Sequence, residues 1–316
     1  MHGKRREFLQ AMGILLSCAS MRISHAQSSD GDWSSRENFR FIYRNSQHRA
    51  EFLNFLTNVF RLFPENEFHR LITDTVSRHT DDETVYESIQ SSLDELRPLL
   101  GDLRYAMPAL ARQKDVMASQ TVELISTDVR YEGYLEIGSG GRYLDALEEE
   151  FDIEGESFFV SERAPGFSPT DIIDRGQIFK AGDSILLEDY RTDFSSIPPR
   201  SIDLANVFIG FHHCPIDLRD AFVSDIAGLV RPGGRLVVRD HDVRDEKQWR
   251  LVALAHDVFN MGTLESWSYN ENELRNFYAL ETLDTLLSRH GFTSNGKRLY
   301  QRGDPTLNAL MAYTRR

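Results

Sequence analysis

Side chains able to do chemistry gather in a few places along this chain. Tyr134 to Tyr143 read YLEIGSGGRY, an apolar run that ends in Gly138, Ser139, Gly140 and Gly141 before the helical DALEEEF. A tight strand-to-helix turn without β-carbons lets backbone N–H groups approach a ligand closely, and a helix start adds positive partial charge. An acid, Glu136, precedes the first glycine by two positions. Further on, FIGFHHCP holds His212, His213 and Cys214, and RDHDV sets His241 between Asp240 and Asp242. Imidazole exchanges its proton near neutrality, and a carboxylate beside it orients the ring and raises its basicity. His241 is therefore the favoured acid–base group, ahead of His212 and His213. The competing reading of each is a loop histidine bonded to a backbone carbonyl. The same stretches, with His256 and Asp257, offer N, O and S ligands, but no spacing among them is a metal signature and no metal is expected.

These groups need elements to position them. Phe52, Phe55, Leu56, Val59, Phe60 and Phe63 recur at helical spacing until Pro64. Thr80 and Glu83 make a capping box for a second helix carrying Val85, Ile89, Leu93 and Leu96, and a third runs from about Pro108 to Ile125. Residues 37–126 thus read as all-helical, and their aromatic stripe is either core packing or a lid over a ligand. From Tyr131 the short apolar runs YLEI, SFFV, QIFKA, IDLANVFIG and RLVVRD alternate with helices, which implies a parallel sheet covered on both faces. Ligands in such sheets bind at the carboxyl ends of the strands, where the glycine turn and the histidines fall. A long helix from about Glu271 to His290, closed by Gly291, precedes strand-like stretches at 298–301 and 308–314. Residues 244–272 form an insertion after the fifth strand. Its Phe259, Trp267 and Tyr269 are a candidate substrate wall, or else part of a surface cap on the sheet.

Composition bounds the possibilities. The 316 residues are 41% hydrophobic and 27% charged, enough for one large domain or a catalytic domain with a helical appendage. A net charge of -13 repels a phosphate backbone, so nucleic acid is not an expected main partner. Cys18 and Cys214 are the two cysteines, and no disulfide framework follows from them. The apolar run AMGILLSCA is too short to span a bilayer and follows Lys4, Arg5 and Arg6. KRREFLQ resembles the twin-arginine export signal, with Ser24 and Ala26 as the small residues before cleavage at Gln27. The expectation is a signal peptide over 1–26, a polar linker over 27–36 and an exported, periplasmic mature chain without a membrane span. The alternative is a frayed basic helix on a cytoplasmic protein.

From about Met117 to the C-terminus the chain resembles the class I S-adenosylmethionine-dependent methyltransferases. YLEIGSGG is similar to their first motif, although Arg142 stands where a third glycine is common. HHCP and LVRPGGRLVVRD resemble the loop after the fourth strand and the turn into the fifth. The resemblance implies a doubly wound, mostly parallel, seven-stranded Rossmann-like sheet over 127–316, behind the helical region, and S-adenosyl-L-methionine as cofactor. It implies that Glu136 links to the ligand's amino group and that Gly138, Ser139 and Gly140 lie against its carboxylate and ribose. Glu162 would grip the ribose hydroxyls, and Asp183, following the third strand, would stand beside the adenine. The activity implied is methyl transfer to a small-molecule acceptor. Two other readings compete: an exported binding or structural module that keeps this fold without turnover, and an NAD-binding oxidoreductase, which Tyr143 at a position wanting Gly or Ala disfavours.

Export is testable directly. Replacing Arg5 and Arg6 by lysine should trap a full-length chain in the cytoplasm, whereas the unaltered chain is recovered from the periplasm cut near Ala26. Full-length cytoplasmic protein from the unaltered gene would remove the signal reading.

Overall fold

The computed structural model describes residue 33 and residues 37–96, 107–162 and 182–316. The signal-like segment, its cleavage site and the QIFKA run lie outside the described residues. The architecture is α/β: a mostly parallel central sheet preceded in sequence by a helical region. The chain divides into two compact units. Of the described residues, one unit takes those up to Arg112 with Val243–Glu273 and Gln301–Asn308, and the other those between Gln113 and Asp242 with Leu274–Tyr300 and Ala309–Arg316. No described helix is long and apolar enough to cross a membrane.

In the helical unit, α1 (Asn38–Tyr43), α2 (Ser46–Phe55), α3 (Glu65–Arg78) and α4 (Asp82–Leu96) pack with α8 (Glu246–Gly262) and α9 (Trp267–Asn272) of the insertion. The helical pattern expected to run unbroken to Pro64 widens after Phe55 into an i→i+5 turn over Leu56–Phe60 and stops at Arg61, whose φ is 49°. That widening keeps Phe60 inside, where its ring meets Phe55, Phe68 and Phe259. The aromatic stripe is therefore core. The cap of α4 is Asp81, whose Oδ1 accepts from the Thr84 amide at 2.8 Å, and not the expected Thr80. Stability comes from burying these rings, at roughly 1.5 to 3 kcal/mol each.

In the sheet unit, α5 (Met107–Leu124) leads into β1 (Arg130–Ile137). There follow α6 (Leu144–Glu148), β2 (Asp152–Ser161), β3 (Asp183–Leu186), β4 (Ile202–Val207), α7 (Ile216–Leu229) and β5 (Val230–His241). The end of the chain adds α10 (Leu280–Arg289), β6 (Phe292–Ser294), β7 (Leu299–Tyr300) and β8 (Asn308–Arg315). Strand order among the described residues is β3-β2-β1-β4-β5-β8-β6, with β7 also on β8, eight strands in all. The pairs β1–β2, β1–β4, β2–β3 and β4–β5 are parallel, while β6 and β7 run antiparallel to β8. The order reverses between β1 and β4, which is where such sheets open a crevice. Met117 and Ala118 of α5 and Leu144 and Leu147 of α6 cover the face that carries Tyr134, Phe159, Leu204 and Val237. The Pro-Gly-Gly segment loops out of the ladder between the pairs Ile202–Val230 and Leu204–Arg235.

Two boundaries differ from expectation. The long helix begins at Leu280 and not near Glu271, because residues 274–279 run as a non-helical strap and Asp242 Oδ1 takes the Leu280 amide at 3.2 Å. Strand β6 was not foreseen, because three residues are too few to show a period.

The helical unit also buries charge. Asp257 Oδ2 and Oδ1 accept from Asn38 and Asn270 at 3.0 and 2.8 Å, and Asp82 sits close to that carboxylate. Burial, and then the charge of Asp257, push the Asp82 carboxyl up to about 7, against the amides of Phe39 and Asn38 and the charge of Arg250. A carboxyl whose pKa is raised by folding supports stability fully below its unfolded value and loses that support as pH climbs through about 7. Stability of the helical unit should therefore fall by about 2 to 4 kcal/mol between pH 4 and pH 8. Thermal melts should show this loss, and Asp82→Asn should flatten it.

Candidate active site

The glycine turn between β1 and α6 is built around Glu136. Its carboxylate is fully buried and accepts from the Gly141 amide at 3.0 Å, the Tyr143 amide at 3.3 Å and the Tyr134 hydroxyl at 2.7 Å. Asn206 of β4 donates in turn to the Tyr134 oxygen at 3.0 Å. Burial pushes the Glu136 carboxyl above its usual range, in spite of the Tyr134 and Ser139 hydroxyls, the Tyr143 amide and the nearby Arg142. The expectation that Glu136 reaches out to a ligand's amino group is corrected: it faces inward and holds the turn closed. Helix α6 is a single turn, so the amides expected to greet a ligand are in part directed at this acid. Arg142 is fully buried behind the turn, beside Glu136 and Tyr143. Gly138 has φ 90°, and a β-carbon there would lie 2.1 Å from Ile209 Cδ1. Ser139 is buried, and Gly140 faces the Ser161 hydroxyl at the end of β2.

Glu162 is exposed immediately past β2, at the carboxyl edge where the ribose acid was expected. Asp183 is not at that edge. It opens β3, paired with Phe158, so its side of the strand is the amino end and its expected place beside the adenine is lost. The acids at the carboxyl end of β3 are Glu188 and Asp189, which with Tyr190 hold φ values of 48°, 54° and 64°. Three successive non-glycine residues in the left-handed region are a costly arrangement that marks this loop. In the sequence, nothing distinguished them from ordinary surface acids.

The histidines sort differently from the sequence reading. Asp240, at the end of β5, pairs with His212 and not with the ring of His241: His212 Nδ1 lies 2.5 Å from Asp240 Oδ1. The same Oδ1 takes the His241 backbone amide at 2.8 Å, while Oδ2 takes the Phe211 amide at 2.8 Å and the Tyr278 hydroxyl. Burial raises the Asp240 carboxyl. The charge and hydrogen bond of His212, the Tyr278 hydroxyl and the charge of His241 outweigh it and hold Asp240 well below the usual carboxylate range. Asp242 serves the Leu280 amide and the Tyr300 hydroxyl, the latter at 3.0 Å. The carboxylate of Asp240 is thus committed to the His212 ring and not, as expected, to that of His241. The His241 ring is buried near His212 and Phe277, at centroid distances of 5.5 and 6.3 Å. His213 lies with Nδ1 3.2 Å from the Leu274 carbonyl, as the competing reading of a loop histidine bonded to backbone has it.

The strap of residues 274–279 fastens onto the histidine loop. The Asn276 amide donates to the His212 carbonyl at 3.0 Å and its Nδ2 to the Cys214 carbonyl at 3.2 Å. Phe277 packs on His212 at 5.2 Å. The expected substrate wall is corrected in two of its three residues. Phe259 lies among Phe55 and Phe60, and Trp267 against Tyr86, so both belong to the core of the helical unit. Tyr269 is half-buried on α9. Within the sheet unit, the aromatic residue beside the histidines is Phe277, which was hidden by reading 271–290 as one helix.

No protein-family model matches the chain. An uncharacterized methyltransferase from Geobacillus kaustophilus is 25% identical over 118 residues, which is 36% of this chain and 51% of that protein. The chain thus matches about half the length of this relative. Among solved structures, Burkholderia thailandensis 1,6-didemethyltoxoflavin-N1-methyltransferase, with bound 1,6-didemethyltoxoflavin and S-adenosylhomocysteine, is 15% identical at a TM-score of 0.43. That likeness covers 66% of this chain and 78% of that one. The mitomycin 7-O-methyltransferase is 15% identical at a TM-score of 0.44, covering 66% and 56%.

Gly210 makes the His212–Asp240 pair possible. Its φ is 80°, and a β-carbon would come within 2.7 Å of His212 Nδ1 and 2.9 Å of Asp240 Oδ1. Gly210→Ala should destabilise the protein by about 2 to 4 kcal/mol in urea titrations. Gly228→Ala, on α7 with nothing within 4 Å, is the control and should be neutral or stabilising by up to about 1 kcal/mol.

Proposed function

We propose that the chain is an S-adenosyl-L-methionine-dependent methyltransferase for a small-molecule acceptor, with His212 as the base. The observation that carries this reading is the meeting, at the carboxyl edge of one parallel sheet, of a glycine turn, an exposed acid past β2 and a buried imidazole–carboxylate pair. The residues present fit the cofactor. The turn after β1 brings the backbone of Gly138 to Gly140 to the switch point, and Glu162 offers a carboxylate for two ribose hydroxyls. Glu188 and Asp189 replace Asp183 as the candidates for the adenine side. When bound, the cofactor supplies a methyl group activated on a sulfonium. The protein's part is to hold the acceptor in line and take its proton. Asp240, held ionised, accepts from Nδ1 of His212 and fixes that proton there, which assigns proton exchange with an acceptor to Nε2. His241 and Phe277 pack against that ring and limit its rotation.

A second reading, an exported module of this fold without turnover, draws support from Glu136, whose oxygens are engaged inside the turn, and from the signal-like first 26 residues. Calorimetry on the purified chain separates the readings. S-adenosylhomocysteine should bind and NAD should not, and Glu162→Ala should weaken binding by roughly 1.5 to 3 kcal/mol. His212→Ala should keep that binding and lower turnover of an acceptor found by screening by about 10²- to 10⁴-fold, with His241→Ala costing less. Binding without turnover of any acceptor favours the module. NAD binding, or none of either ligand, defeats the methyltransferase reading.

A further inference from the structure

Asp240 sets the state of His212, and one of the four donors that surround Asp240 comes from the strap. The Tyr278 hydroxyl donates to Asp240 Oδ2, on the oxygen opposite the one that receives the His212 ring. Two of the other donors, the amides of Phe211 and His241, are backbone and cannot be tuned by sequence. Tyr278 is thus the one of the four donors that is a side chain other than the imidazole itself. Burial and the charge of Asp240 push its phenol well above the usual range, so it remains a donor at every working pH. Its ring is held by the Arg219 guanidinium, 4.8 Å from the centroid. Arg219 is anchored by the Cys214 carbonyl at 3.2 Å and the Asn276 carbonyl at 3.5 Å.

We infer that Tyr278 is a positioning residue for His212, acting through Asp240: its hydrogen bond draws charge from the carboxylate and thereby moderates the basicity of the imidazole. The inference rests on the reading of His212 as the base. Removing the phenol concentrates charge on Asp240, which strengthens the Nδ1–H hydrogen bond and makes the ring more basic. A purely structural tyrosine, wedged under Arg219, would leave the imidazole's electronic state unchanged when its oxygen alone is deleted.

The experiment is proton NMR of the full chain, following the downfield Nδ1–H resonance of His212, assigned by its loss in His212→Gln. Tyr278→Phe should shift the resonance further downfield. Incorporating 3,5-difluorotyrosine at position 278, a more acidic phenol of nearly the same shape, should shift it upfield, and this second variant decides the matter if the first fails to fold. Opposite signs support the inference. A resonance unmoved by either change, or moved the same way by both, overturns it. The pH–rate profile of a turnover assay should move to higher pH in Tyr278→Phe, and an unmoved profile also overturns the positioning role. Calorimetry with S-adenosylhomocysteine reports separately on the methyltransferase reading, so failure of one is distinguishable from failure of the other.

Discussion

A single buried carboxylate organises the reactive end of the sheet. Asp240 is almost wholly removed from solvent, yet it is ionised, because four donors converge on its two oxygens. An ion in such surroundings is tolerated only when its hydrogen-bonding capacity is filled. The four donors come from three stretches: the loop after β4 through Phe211 and His212, the strand's own end through His241, and the strap through Tyr278. The carboxylate therefore acts as a junction that fixes three backbone segments relative to one another. Gly210 is the concession the chain makes so that the junction can close.

Glu136 solves the same problem with the opposite electrostatic outcome. It too is fully buried and surrounded by donors, but those donors are neutral amides and hydroxyls apart from the nearby Arg142. Burial wins there and the carboxyl is pushed up, whereas at Asp240 the imidazole charge tips the balance down. One acid shapes a turn and the other orients a ring, and the difference lies in the partners supplied by the loops. Asp82, beside a second carboxylate in the helical unit, follows the logic of Glu136 with a like charge added.

Much of this was legible in the residues. The change from helical spacing to short apolar runs at Tyr131 marked the start of the sheet, and Gly138 and Gly140 marked its first turn, because β-carbon-free turns and strand periods are local properties. The proximity of Asp240 to His241 in sequence misleads, because the ring that Asp240 holds is 28 positions away, on the loop after another strand. Asp183 misled because the start of β3 is set by pairing with Phe158, a tertiary fact. An insertion after a strand suggests a substrate wall or a surface cap for Phe259 and Trp267, whereas α8 is buried along most of its length among the rings of α2 and α3. Tyr278 carried no signal at all: its importance depends on the strap being non-helical, and the apolar spacing around Leu280 extended smoothly backwards over it.

The saturation of Asp240 also governs how this site can be interrogated. Asp240→Ala would strand two backbone amides, a phenol and an imidazole N–H in a buried space, at roughly 1 to 3 kcal/mol for each unsatisfied group. Asp240→Asn is little better, since an amide nitrogen would turn donors toward donors on one side of the junction. Loss of activity in either variant would report collapse of three loops as readily as loss of a charge. The chemistry of such a hub is accessible only from its periphery, through the one donor that is a side chain with a removable oxygen and that stands apart from the histidines. Tyr278 alone meets that description, because Phe211 and His241 donate from the main chain and His212 is itself the group in question.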